Sequence, residues 1–137
     1  MWIFTKYGFY SVVEHPRHCK LVVVRARRKE HLDNLVQFAE AAHLPRGNER
    51  IEESPKRDYR WRLVMAKDSW AKLAQELASE ISYKNFKEEV RRTGFGGWGF
   101  LTLLHDIWVK CWDYQNDLEE EPNDEEEAIE EAQEPTS

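Results

Sequence analysis

The sequence predicts an α+β fold: a single small sheet, mixed or antiparallel, of about four strands, with helices packed on one face, in the chain order β-β-β-α-β-α-α-α. Two observations carry it. Short β-branched and aromatic runs fill the first 27 positions and return once, over residues 59–66, as strands do. Between and after them, apolar residues recur three and four apart in four separate segments, the spacing of a helix face.

Residues 2–5 and 9–14 are β-favouring and separated by Tyr7-Gly8, so they form a hairpin or one strand bulged at the glycine. Residues 15–18, with Pro16 among them, make a connection. Residues 20–27 begin with a continuous apolar block, the mark of a central strand. A first helix spans 28–42 with Leu32, Leu35, Val36 and Ala39 on one stripe, and ends at residues 44–48, where Pro45 and Gly47 stop it. Residues 49–57 are charged and predicted to be a loop. After the strand at 59–66, a second helix starts near Asp68, an N-cap candidate, with Trp70, Leu73, Ala74, Leu77, Ala78 and Ile81 as its apolar face. A third helix covers 83–92, four glycines at 94–99 form a loop, and a last helix covers 100–114 with Leu104, Ile107, Trp108, Cys111 and Trp112 as its buried stripe. Residues 22–38 and 62–77 both read as strand, basic turn and amphipathic helix, so two β-α units share one sheet.

The 137-residue length fits one domain, and six Trp, five Tyr and six Phe supply enough apolar area to fold without disulfides or a metal. Charge divides that domain from the C-terminal stretch. Residues 1–116 hold all 20 basic residues against 15 acidic ones, a balance of +5, whereas residues 117–137 hold 11 acidic residues and no basic one. The expected boundary is therefore a domain over 1–116 and a disordered acidic tail over 117–137, since Leu118 and Ile129 with a few alanines cannot offset ordering entropy. The ordinary role of such a tail is solubility; the sharper one is to screen a basic face of its own domain.

Cys19 and Cys111 are far apart and form no CxxC pair, which points to a reducing compartment. The opening residues have no basic n-region, long apolar h-region or cleavage site, and the longest apolar run, residues 21–24, is far too short for a membrane span. A cytoplasmic location and no membrane partner are expected.

Two segments, MWIFTKYGFYSVV at residues 1–13 and VRAR at 24–27, resemble the start of a family of small uncharacterised bacterial proteins. Tyr83-Lys84-Asn85-Phe86-Lys87 and His105-Asp106-Ile107-Trp108 extend the resemblance across the domain but not the tail. The chain departs from the family's pattern at Leu104, where a Tyr often precedes the His-Asp pair, and in the glycine loop. The resemblance implies a compact bacterial domain and brings no activity with it.

Among candidate sites, Arg25 and Arg27 lie two apart on one strand, as do Arg60 and Arg62 on another, so each pair shares a face. Val24, Ala26, Trp61 and Leu63 then point to the core. Four guanidiniums on one open face are ordinarily a solvated surface. Functionally they are a platform for phosphates or a carboxylate partner, with Tyr7, Tyr10 and Tyr59 as stacking surfaces. Tyr83, Asn85 and Lys87 alternate where the third helix starts, and Asn85 is placed to cap it. His105 and Asp106 are paired on the last helix. Cys111 is six residues on from His105, roughly 600° around the helix, so no local Cys-His dyad forms, and Cys111 is expected in the core. His15, His18 and Cys19 lack paired-ligand spacing for zinc, and the glycine loop lacks the Lys-Ser/Thr of a phosphate loop. No catalytic residue, metal or cofactor is assigned.

These observations favour a non-enzymatic interaction or regulatory module with a protein partner. The alternative is a nucleic-acid-binding domain using the arginine face gated by the tail. A small hydrolase or transferase is the third class, and would need His105, Asp106 or Tyr83 to converge with distant polar groups.

Overall fold

In a computed structural model, residues 1–44 and 50–117 are described, and among them are five strands and four helices. The strands are β1 (Trp2–Thr5), β2 (Gly8–Glu14), β3 (Leu21–Ala26), β4 (Glu52–Glu53) and β5 (Trp61–Ala66), and the helices α1 (Lys29–Ala41), α2 (Lys67–Ser79), α3 (Phe86–Thr93) and α4 (Phe100–Asn116). The α+β class holds, with a single sheet that is antiparallel throughout, in the order β1-β2-β3-β5-β4. The strand count is five rather than about four. The addition is β4, inside the charged stretch read as a loop. Its two glutamates pair with Arg62 and Trp61 of β5, an edge too short and too polar to announce itself by alternation. The acidic tail read as disordered lies outside the described residues from position 118 onward.

Thr5 faces Gly8 across a hairpin whose turn is Lys6-Tyr7, and Thr5 Oγ1 closes it by accepting the Tyr7 N–H at 3.1 Å. The valine block of β3 is central, as expected. The β3-α1 and β5-α2 units are neighbours in the sheet, and Arg25 stands directly opposite Arg62.

One face of the sheet is clad in helix. Tyr10, Val12, Val22, Val24, Ala26, Leu63 and Met65 meet Leu32, Leu35 and Ala39 of α1 and Trp70, Leu73 and Leu77 of α2 in one cluster. Burying each large side chain is worth about 1.5–3 kcal/mol. Trp61 is only half-buried at its margin.

Local chemistry shifts several boundaries. The chain turns from β5 into α2 at Ala66, whose backbone is extended, so Ala66 is the N-cap and makes no side-chain cap bond. Asp68 lies inside the first turn instead, where its charge suits the helix dipole. α2 ends at Ser79, so Ile81 falls beyond the helix and is exposed, while Ala78, inside it, lies at the exposed edge of the apolar face. Asn85 does cap α3, accepting the Glu88 N–H at 3.0 Å, which moves the helix start to Phe86. Gly94 ends α3 in the left-handed conformation at φ 65°, its N–H donating to the Val90 carbonyl.

The chain divides into two units, Met1–Leu101 and Thr102–Ser137. The first holds the sheet and α1–α3. In the second, the buried stripe assigned to α4 is overturned. Leu104 is buried, but Trp108 is 50% exposed, Trp112 is 53% exposed, and Cys111 is exposed rather than in the core. Helical spacing makes a stripe; it does not supply a surface to cover it. No described helix is long and apolar enough to cross a membrane.

Candidate functional site: the arginine face of the sheet

The face of the sheet away from the core cluster carries the arginines. Strand pairing sets Trp2, Ser11, Arg25, Arg62 and Glu52 in one transverse row over β1, β2, β3, β5 and β4. Directly paired residues project to the same side, so β alternation puts Phe4, Phe9, Val23 and Val64 on that side too, with Phe9, Ser11 and Val23 buried there. Arg27, just past β3, joins them over the Tyr59 ring, whereas Arg60, just before β5, turns to Glu53, whose strand partner is Trp61.

Residues 54–60 bring Tyr59 to this surface. The Ser54 N–H donates to the Arg60 carbonyl at 2.6 Å, and Tyr59 is buried. The guanidinium carbons of Arg25 and Arg27 lie 4.5 and 4.3 Å from its ring centroid, within cation–π range. Phe9 continues the aromatic surface, stacked on Phe4 at 4.3 Å and edge-on to Trp2 at 5.6 Å. Trp2 itself is exposed.

All four arginines keep solvent access: Arg27 and Arg60 are exposed, Arg25 and Arg62 half-buried. Their partners differ. Arg60 binds the Glu53 carboxylate through Nε at 2.8 Å and Nη2 at 2.5 Å. The other three hydrogen-bond to neutral oxygens. Arg25 donates to Ser11 Oγ at 2.7 Å, Arg27 to the Asp58 carbonyl at 2.6 Å, and Arg62 to the Tyr59 carbonyl at 3.4 Å. Arg25 Nε is buried without a hydrogen-bond partner, and the ring of Tyr59 is the group its guanidinium lies against. Burial, then the positive charges of Arg57 and Arg25, hold the Arg62 guanidinium below its ordinary range, with Asp58 opposing them. The local field is positive and partly desolvated, so an arriving carboxylate or phosphate would be stabilised there.

The stacking role expected of three tyrosines falls to Tyr59 alone. Tyr10 is fully buried on the helix-clad side, and its hydroxyl donates to the His31 carbonyl at 2.6 Å. Tyr7 sits in the hairpin turn and donates to Glu80 Oε2 at 2.7 Å. Its hydroxyl pKa is raised, first by burial and then by Glu80.

The remaining candidates do not join this face. Tyr83 lines a cleft of about 210 Å³ with Lys6, Tyr7 and Leu77, Asn85 serves as the α3 cap, and Lys87 lies in that helix's first turn. His105 and Asp106 are exposed on α4, and the His105 ring stacks against Trp108 at 6.1 Å. In the 15–19 connection, His15 Nδ1 accepts the Arg17 N–H at 3.1 Å and Cys19 is exposed. Among the described residues no group of three His, Cys, Asp or Glu is placed to hold a metal ion.

His31 stands out only in the folded chain. It is buried; Nδ1 accepts the Phe9 N–H at 3.3 Å, and Nε2, 2.9 Å from the Gly96 carbonyl, is then the donor. A Cβ at Gly8 would collide with its ring. Histidine thus ties β2, α1 and the glycine loop together, and its position one residue before Leu32 on the apolar stripe was the signal available.

Compared with protein-family models, curated proteins and solved structures, the chain matches none.

Proposed function

We propose that the chain is a non-enzymatic binding module that takes an acidic protein segment on the arginine-bearing face of its sheet. The supporting observation is that Arg25, Arg27 and Arg62 cluster there with neutral hydrogen-bond partners, so their charge is not compensated by a salt bridge among the described residues. Carboxylates suit guanidinium forks through paired, charge-assisted hydrogen bonds. The overall charge of −6 weakens long-range attraction for a polyanion as dense as nucleic acid.

The direct test titrates the full chain and an Arg25→Gln/Arg27→Gln/Arg62→Gln variant with a fluorescent oligoglutamate peptide. Binding that is lost in a folded variant supports the reading. Equal binding by both proteins, or none by either at low salt, overturns it.

A second reading, single-stranded nucleic acid, draws on exposed Trp2 and on Phe9 and Tyr59 beside the guanidiniums, because bases stack on aromatic rings. An oligonucleotide bound more tightly than the peptide, with steep salt dependence and a further gain on deleting residues 117–137, would establish it in place of the first.

A further inference from the structure

On the helix-clad side lies a cleft of about 380 Å³, within the size range of small-molecule sites. Its chemistry is the reverse of the arginine face. Three aromatic rings converge on it: Tyr7 stacks on Phe95 at 5.3 Å and meets Phe38 at 5.1 Å, tilted by 38°. Two carboxylates join, Glu76 from α2 and Glu80 from the C-cap of that helix, one turn further on. Among the described residues no Lys, Arg or His lines it. Glu80 is engaged by the Tyr7 hydroxyl and lies 3.6 Å from Lys6. Glu76 forms no salt bridge among the described residues and is exposed.

The rings are held in place. Asn34 of α1 donates from one amide nitrogen to the carbonyls of both Tyr7 and Phe95, at 2.9 and 2.6 Å. One side chain therefore fixes the hairpin turn against the glycine loop, residues far apart in sequence, and sets the cleft wall before any ligand arrives. The chain already pairs an ammonium with this chemistry: Lys6 Nζ lies 5.5 Å from the Tyr7 ring centroid.

We propose that this cleft binds a small organic ammonium ion. Aromatic faces attract such cations through the ring quadrupole, Glu76 supplies opposite charge, and the nearby ammonium of Lys6 is held by Glu80 and Glu89. This site is independent of the arginine face and of any partner bound there.

The test is a titration of the full chain with choline and, in parallel, with 3,3-dimethylbutan-1-ol, its neutral isostere, followed by amide and aromatic NMR shifts. Choline should shift Tyr7, Phe38 and Phe95 with an affinity of about 1 mM, as expected for so small a ligand. The isostere should bind about tenfold more weakly, the loss expected when the cation–π and carboxylate attractions go. Glu76→Gln, an exposed position where folding is not at stake, should weaken choline several-fold and leave the isostere unchanged. Equal binding of choline and isostere, no shift in the three rings, or an unaffected Glu76→Gln variant would overturn the proposal. A lysine-containing tripeptide run beside choline separates a free amine from a peptide side chain. Preference for choline supports the small-ion assignment, and preference for the tripeptide overturns it.

Discussion

Helices α2 and α4 carry the same kind of pattern and meet different fates. Both set tryptophan on an apolar stripe of helical period. In α2 the stripe closes the core, with Trp70 6% exposed beside Leu73 and Leu77. In α4 the stripe begins buried at Leu104 and then opens, with Trp108 and Trp112 half in solvent. The difference is what stands opposite. α2 follows β5 directly, so the valine-rich sheet is its immediate neighbour in the chain. α4 leads into residues 117–137, whose apolar content is slight. An amphipathic period therefore reports that a helix has an apolar face, while burial depends on a second surface that another segment must provide.

The largest effect should separate these two helices. Trp70→Ala should lose about 3–5 kcal/mol, the cost of a buried aromatic with its cavity. Trp112→Ala should stay within about 0.5 kcal/mol, as exposed substitutions do. Urea midpoints followed by circular dichroism give both numbers. Thiol labelling of the native chain sharpens the contrast, since Cys19 and Cys111 are both exposed and both should react as fast as in urea. A protected Cys111, or a Trp112→Ala loss matching that of Trp70→Ala, would show that the α4 stripe is covered after all.

The next effect probes a buried polar group on the covered side. His31→Leu strips the Phe9 N–H and the Gly96 carbonyl of their partner, and each unpaired buried group costs about 1–3 kcal/mol. The native ring also makes stability depend on pH. Burial holds its pKa below the ordinary value; the Gly96 carbonyl at Nε2 opposes this, whereas the Phe9 N–H donating to Nδ1 favours the neutral ring. A depressed histidine pKa means the unfolded chain takes up a proton that the folded chain refuses. The contribution is therefore complete above about pH 6.5, the unperturbed value, and is lost as pH falls through the folded pKa. Urea midpoints should decline on acidification through this range in the native chain, and that share of the decline should vanish in His31→Leu. An unchanged slope would mean another group titrates.

What the sequence made legible tracks chain locality. The hairpin, the central valine strand, α1, the Asn85 cap and the shared face of Arg25 and Arg27 depend on residues within a few positions of one another, where period and capping chemistry decide. The direct opposition of Arg25 and Arg62 needs the β3–β5 register, which no local pattern contains. β4 is too short to carry a period at all. The ammonium cleft depends on Asn34 bonding to carbonyls 27 and 61 positions away, and an asparagine on the polar side of a helix announces no such role. Asp68 shows the converse. A good capping residue stood inside the first turn because the strand ran straight into the helix.

The smallest effect tests whether the arginine charges themselves are dispensable to folding. Arg60 and Arg62 are two apart in sequence, yet their neighbours differ. Arg60→Gln removes the Glu53 ion pair and should lower stability by at most about 1 kcal/mol, since exposed pairs are worth little. Arg62→Gln should do the opposite. Arg62 stands directly opposite Arg25, and like charges across a strand pair destabilise by about 0.2–1 kcal/mol; Glu52 on its other side is exposed and forms no salt bridge with it, and its hydrogen bond to the Tyr59 carbonyl is long. Removing the charge should leave stability unchanged or raise it by a few tenths of a kcal/mol, discounted for the solvent that reaches this side chain. The gain should shrink as salt screens the repulsion. Urea midpoints of both variants at low and high salt distinguish the signs. A clear loss from Arg62→Gln would make its guanidinium a strut of the sheet. A binding defect in any variant lacking Arg62 would then reflect altered structure, and only Arg25 and Arg27 could report on the anionic partner.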